Sequence, residues 1–148
     1  MADEVLIIPV IMLGLVLGLY ELILIHRDES FRGSHWLGHG LHAVGTMMIA
    51  LFAVMNTEYF LEITGLIDSG IPFISNVLAV RIAVGVILNI KIHATSAVIK
   101  GRAFSGGLSG GMAEHWTHTT IVSALVVLAP YIWPFAAPFI PSYLGGTA

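Results

Sequence analysis

Four long stretches of the chain run with hardly a charge in them, and the pieces between hold most of its polar chemistry. The first covers about residues 5–25 and contains Pro9, Gly14, Gly18 and one charged residue, Glu21. The second covers about 35–55, the third 75–99, and the fourth 116–139, the last interrupted by Pro130, Pro134 and Pro138. A transmembrane helix needs roughly 20 mostly apolar residues, so each stretch is predicted to form one span. Residues 56–74 differ: Glu58, Glu62 and Asp68 alternate with Tyr59, Phe60, Leu61, Ile63 and Leu66. That mixture predicts a helix lying in the membrane interface, ended by Pro72, rather than a fifth crossing. The connector 100–113 holds Gly101, Gly106, Gly107, Gly110 and Gly111 and is expected to be flexible and tightly turning. The expected fold class is all-α, one domain over 1–148: a four-helix transmembrane bundle with one interfacial helix.

Composition supports the same reading. The chain is 57% hydrophobic and 10% charged, whereas a soluble domain carries about a quarter charged residues. Too few polar side chains are present to cover a water-facing surface, and four spans leave no length for a separate soluble domain. The net charge of −3 and the lack of a basic patch exclude nucleic acid as a partner. With no cysteine, disulfides, thiolate metal sites and cysteine nucleophiles are excluded. No Gly-x-Ser-x-Gly elbow or phosphate loop is present, and the glycines between Gly106 and Gly111 lack the lysine a nucleotide site needs.

Charge placement also predicts orientation. Asp3 and Glu4 precede the first apolar stretch, the opposite of a signal peptide's basic start, so that stretch is expected to be retained. Outside the spans, basic residues fall only in the first connector (Arg27, Arg32) and the third (Lys100, Arg102). The positive-inside rule then makes those connectors cytoplasmic and puts both termini outside. Tyr131, Trp133 and Tyr143 would sit at the outer headgroup level.

Against this apolar background stand seven histidines, more than the six lysines and arginines together. The expected topology brings all seven to one end. His26 closes the first span, His35, His39 and His42 open the second, His93 lies near the end of the third, and His115 and His118 open the fourth. His35, His39 and His42 share a helical face by their i, i+4, i+7 spacing, and His115 and His118 by i, i+3. Asp28, Glu29 and Glu114 lie at the same level. Imidazole with carboxylate suits copper, zinc, iron or manganese, so the candidate metal ligands are His35, His39, His42, Asp28, His93, His115 and His118. Two other readings stand beside this one. Half-wet histidines are ordinary at a membrane interface, where polar groups cost little. A b-type haem held between facing histidines such as His39 or His42 and His93 is the other.

The third span is polar on one face, with Arg81, Gly85, Asn89, His93 and Lys100 at near-helical spacing. Arg81, Asn89 and Lys91 form the candidate intramembrane polar set, which either lines a proton or ion path or fixes helix packing. Glu21 lies at the opposite level from Arg81, so the expected partner of Arg81 is a carboxylate of the 58–68 segment or of another subunit. Gly14 with Gly18, and Gly38 with His42 and Gly45, permit close helix approach, and such a small bundle is expected to pack against other subunits.

Arg27-Asp28-Glu29-Ser30-Phe31-Arg32-Gly33-Ser34-His35-Trp36 resembles a stretch of the C subunit of copper membrane monooxygenases, the family of particulate methane monooxygenase and ammonia monooxygenase. There an Arg-Asp-x-x-Phe-x-x-[Ser/Ala]-His run ends in a metal-binding histidine. Arg27, Asp28, Phe31, Ser34 and His35 match in identity and spacing, and Trp36 matches the tryptophan of archaeal ammonia-oxidising members. The resemblance implies a ligand role for His35. The family's two upstream ligands fall on Gly18 and Leu22, which cannot bind metal, and its proline is replaced by Gly33. Asn89 and His93 have the spacing of a second family site, Asn-x-x-x-His, whose downstream histidine is missing at the family's distance. The resemblance spans residues 27–36. It implies a non-catalytic or metal-adjacent subunit of a copper-dependent complex oxidising ammonia or a small hydrocarbon, with no residue singled out as catalytic. A self-contained transporter or channel oligomer for protons or metal ions and a haem-bearing anchor are the alternatives.

Overall fold

In the computed structural model, residues 4–27, 36–103, 112–144 and 146 are described, with side-chain surroundings for 4–23, 41–94, 116–144 and 146. Most of these residues are helical, and no strand occurs among them. The elements are α1 (Ile8–Arg27), α2 (Trp36–Met55), α3 (Thr57–Ile63), α4 (Val77–Ala103) and α5 (Met112–Ala136), followed by 3-10 turns at Ala137–Phe139 and Ser142–Leu144. The four long helices alternate in direction. Asn56, just past α2, bonds Leu6 at the start of α1, and Glu21, late in α1, meets His118, early in α5.

The centre of the bundle is built from α2 and α5, where Met47, Leu51, Val54, Val122 and Val126 are fully buried. Leu88 of α4 and Val10 of α1 complete that core. The outer surface is also apolar: Val16 and Ile23 of α1, Ile49 of α2, Ile87 of α4 and Phe135 of α5 are all exposed. An exterior as greasy as the interior is what lipid contact requires and water contact penalises.

Two helical segments, Val77–Ala94 and Trp116–Phe139, are long and apolar enough to cross a membrane, and a third span results if Leu41–Met55 and Thr57–Ile63 are taken together across their 56° bend. Ile8–Ile23 is apolar but shorter. Two or three membrane-crossing helices therefore stand on length and composition.

The expected interfacial helix over 56–74 is reduced to the seven residues of α3. It stops at Ile63 because the Thr64 hydroxyl donates back to the Phe60 carbonyl at 2.6 Å and Gly65 takes φ +69°, a left-handed cap that favours glycine. Pro72 lies in the turns that follow and ends nothing. Asn76 then starts α4, its side-chain oxygen accepting the Ala79 N–H at 3.0 Å, an N-cap contact. Helix α4 runs to Ala103 and α5 begins at Met112, so both intrude on the expected 100–113 connector. Pro130 and Pro134 lie inside α5 instead of breaking it.

Helices α1 and α2 touch through glycines. A Cβ on Gly18 would lie 2.7 Å from the Val44 Cα, and one on Gly14 2.7 Å from the Met48 Cγ. The small-residue pair therefore serves packing within the chain. Gly45, expected to offer a close-approach surface, has nothing within 4 Å of the place its Cβ would occupy.

Candidate functional site

Of the ten residues singled out from sequence, His42, Arg81, Asn89, Lys91, His93 and His118 have described surroundings. His39 and His115 lie in helical backbone with side chains outside the described set, and Asp28 and His35 lie outside the described residues. The three described histidines sit toward the same end of the bundle but in three separate pairings.

His118 meets Glu21 across the α5–α1 contact, Nε2 to Oε2, at 2.8 Å. An ionised carboxylate can only accept, so in this pairing Nε2 is the donor. Glu21 is 2% exposed, and Tyr20 covers the contact with its ring 6.2 Å from the imidazole. An isolated carboxylate at that burial would be costly, and His118 is the group that compensates it. Glu21 was legible only as a stray charge; its signal was its position at the histidine level.

His93 stacks on Trp116 with ring centroids 4.0 Å apart and planes 26° apart. Its Nδ1 is buried with no hydrogen-bond partner among the described residues. One turn earlier on α4, Asn89 donates through Nδ2 to the Thr120 hydroxyl at 3.2 Å, while its Oδ1 is likewise buried and unpartnered. The register of this antiparallel contact continues to Gly85, opposite Ser123 and Val127.

Lys91 does not belong to that face. Two residues on from Asn89 the helix has turned about 200°, and Lys91 reaches α2, donating to the Thr46 hydroxyl at 2.8 Å with His42 Nε2 at 3.4 Å. An ammonium beside that nitrogen opposes a second cation there. Among the described residues no three His, Asp or Glu side chains converge as a metal-binding group. The three described histidines are not brought together into one site, and the other candidate ligands, Asp28, His35, His39 and His115, have side chains outside the described set.

At the other end Arg81 is 8% exposed. Its Nε donates to the Val54 carbonyl at 3.1 Å, NH1 donates to the Tyr131 hydroxyl at 3.1 Å, and the guanidinium lies 5.3 Å from the Tyr131 ring centroid. No carboxylate among the described residues pairs with it, so the expected bridge to the 58–68 segment is replaced by a carbonyl and a phenol. The reason is the α2–α3 bend. Thr57 donates to the Ala53 carbonyl at 2.7 Å and to Val54 at 3.1 Å, and Asn56 donates to Phe52 at 2.9 Å while accepting the Leu6 N–H at 2.6 Å. A helix break frees carbonyls that lipid cannot solvate; Arg81 and Thr57 take up that of Val54, and Asn56 ties the bend to Leu6. Asn56, 2% exposed, is a structural residue that sequence reasoning missed. Its signal was an Asn-Thr pair closing the nine apolar positions 47–55.

Set against known family models, characterised proteins and solved structures, the chain matches none of them.

Proposed function

We propose that the chain is a small integral-membrane subunit of an oxidoreductase complex, in an accessory or structural position within a copper-dependent monooxygenase acting on ammonia or a small hydrocarbon. In this reading all four long helices cross the bilayer, the histidine end faces the cytoplasm and both termini lie outside. The observation that supports a subunit role is the exposed polar patch on α2 and α4. Lys91 and His42 are exposed on a surface they share with Leu41, Ile87 and Ile90. A charged side chain on a lipid-facing surface is costly, and cover by a neighbouring membrane subunit lowers that cost. The copper assignment rests on the resemblance over residues 27–36, which gives His35 a ligand role; when bound, copper would supply the oxygen chemistry to the complex. No chemical step is assigned to this chain's own residues.

Purification from native membranes in mild detergent tests the reading. Larger membrane subunits in fixed ratio and copper in the complex are expected, with copper reduced by paired His35→Ala and His39→Ala substitutions. Lys91→Leu is expected to loosen the chain from its partners. A homo-oligomer that carries ions in liposomes on its own would replace this reading, and a Soret band would turn it toward haem.

A further inference from the structure

Four consecutive residues between α3 and α4, Ile71-Pro72-Phe73-Ile74, carry no polar side chain, and all four are exposed. Phe73 is 80% exposed and has φ +69°, the one positive φ outside glycine among the described residues. A bulky side chain in the left-handed region costs free energy and persists only where its surroundings hold it there. The turn supplies part of the hold. The Ser75 N–H donates to the Ile71 carbonyl at 3.1 Å, the Ser75 hydroxyl donates to the same carbonyl at 2.9 Å, and the Asn76 N–H donates to the Phe73 carbonyl at 3.4 Å. These bonds close the turn that launches α4. They leave the ring itself uncovered.

The order of polarity along the chain gives the run its surroundings. Asp68, Ser69 and Gly70 are exposed and precede it. Leu78 and Ile82, exposed and one turn apart, follow it on the candidate span Val77–Ala94. Exposed polar residues, then exposed apolar ones, then the apolar outside of a span are the environments met on passing from water into a bilayer. At this same end, fixed by the Arg81–Tyr131 contact, α5 is followed by Phe139 and Tyr143, 88% and 78% exposed, at the level where membrane proteins place amphipathic rings such as tyrosine. We propose that residues 71–74 are a lipid anchor, seated in the headgroup–acyl boundary at the start of α4, with Phe73 entering furthest. Lipid is the occupant because the apolar surface continues unbroken from Ile74 onto Leu78 and Ile82, and because the run offers a partner protein no charged or hydrogen-bonding side chain to set a register. The anchor fixes the depth at which α4 begins. Two turns on from Ile74 lies Arg81, which holds the Val54 carbonyl at the α2–α3 bend, so the bend is held at a fixed depth as well.

The absence of cysteine lets one thiol-attached fluorophore report one position in the full chain, reconstituted in phosphatidylcholine nanodiscs. A nitrobenzoxadiazole label on Ile74→Cys is expected to be quenched at least about threefold more by a phosphatidylcholine with a nitroxide high on its acyl chain than by aqueous iodide, as for a side chain in the headgroup–acyl boundary. Asp68→Cys should show the reverse order, and Ile82→Cys the same order as Ile74→Cys. Phe73→Gly removes the ring yet suits the left-handed backbone, so the turn keeps its shape. Added to Ile74→Cys, it is expected to lower the nitroxide quenching about twofold as the run rises toward water. Iodide quenching at Ile74→Cys as strong as at Asp68→Cys overturns the anchor. Protection from both quenchers overturns it too, since protein then covers the run. Nitroxide quenching unchanged by Phe73→Gly overturns the part given to Phe73. None of these outcomes depends on copper, on other subunits or on which side of the membrane the turn lies.

Discussion

Two helix pairs in this molecule are held together by different physics. Helices α1 and α2 meet where Gly14 and Gly18 lie against Met48 and Val44, so contact comes from backbone approach and dispersion. Helices α4 and α5 meet through His93 on Trp116, Asn89 on Thr120 and Arg81 on Tyr131, with Gly85 as the one close approach. In lipid no hydrophobic force drives helices together, and close packing and interhelical hydrogen bonds are the available means. The first pair uses nearly only the former. The second spends its contact on polar groups, three of whose atoms are left without a partner among the described residues.

The comparison breaks most visibly at Gly18. Its missing Cβ would meet the Val44 backbone, 2.7 Å away, and backbone cannot rotate aside as a side chain can. Gly18→Leu is expected to force α1 off α2 and abolish the folded band in detergent, while Gly18→Ala should cost about 1–3 kcal/mol as an overpacking defect. Unfolding in graded SDS measures both. Gly85→Ala is the matched test in the other pair. The colliding atom there is a Val127 methyl group, which can move, so a loss of about 1 kcal/mol is expected, at the low end of the overpacking range. Equal losses at the two sites would show that the pairs are alike after all.

Removing a polar contact should matter less than forcing in a methyl group. Asn89→Leu deletes the bond to Thr120 but also removes the unpartnered Oδ1. Interhelical hydrogen bonds in membranes average only about 0.6 kcal/mol, so the net change in SDS unfolding is expected to be no larger than that. A loss well above it would mean that Asn89 anchors the pair and is not spare.

The same contrast explains what could be read before the structure. Four apolar stretches announced four long helices because lipid-facing and core-facing positions are both apolar, and their lengths carry the signal. Gly14 and Gly18 announced close approach by spacing alone, though not that Val44 and Met48 within the chain, instead of another subunit, would fill the gap. Arg81 was legible as an intramembrane cation but not as a clamp on the α2–α3 bend, since the Val54 carbonyl it bonds becomes available only once the helix breaks. Lys91 was grouped with Arg81 and Asn89 by composition, and helical phase put it against α2. Side-chain partners such as Glu21 with His118 depend on the register between helices distant in sequence, which no local pattern encodes. Of the histidine set, the shared end could be read from topology; the separate pairings of His42, His93 and His118 could not.

Gly45 offers the smallest and sharpest test of where contact lies. It is on α2, the helix that Gly18 touches through Val44, yet an added Cβ there meets no atom within 4 Å. Glycine inside a helix is less favourable than alanine by about 0.5–1 kcal/mol through backbone entropy, so Gly45→Ala in the isolated chain should be neutral or slightly stabilising in SDS unfolding. The sign is opposite to that at Gly18. In the assembled complex the expectation changes. One turn away, Lys91 and His42 mark the surface assigned here to a neighbouring subunit, and a glycine with open space beside such a patch leaves room for a partner's backbone. Gly45→Ala should then leave the chain's own stability intact while reducing co-purification of its partners. Unchanged co-purification would place the partner on another face, and a destabilised isolated chain would mean that α2 packs within the chain on this side as well.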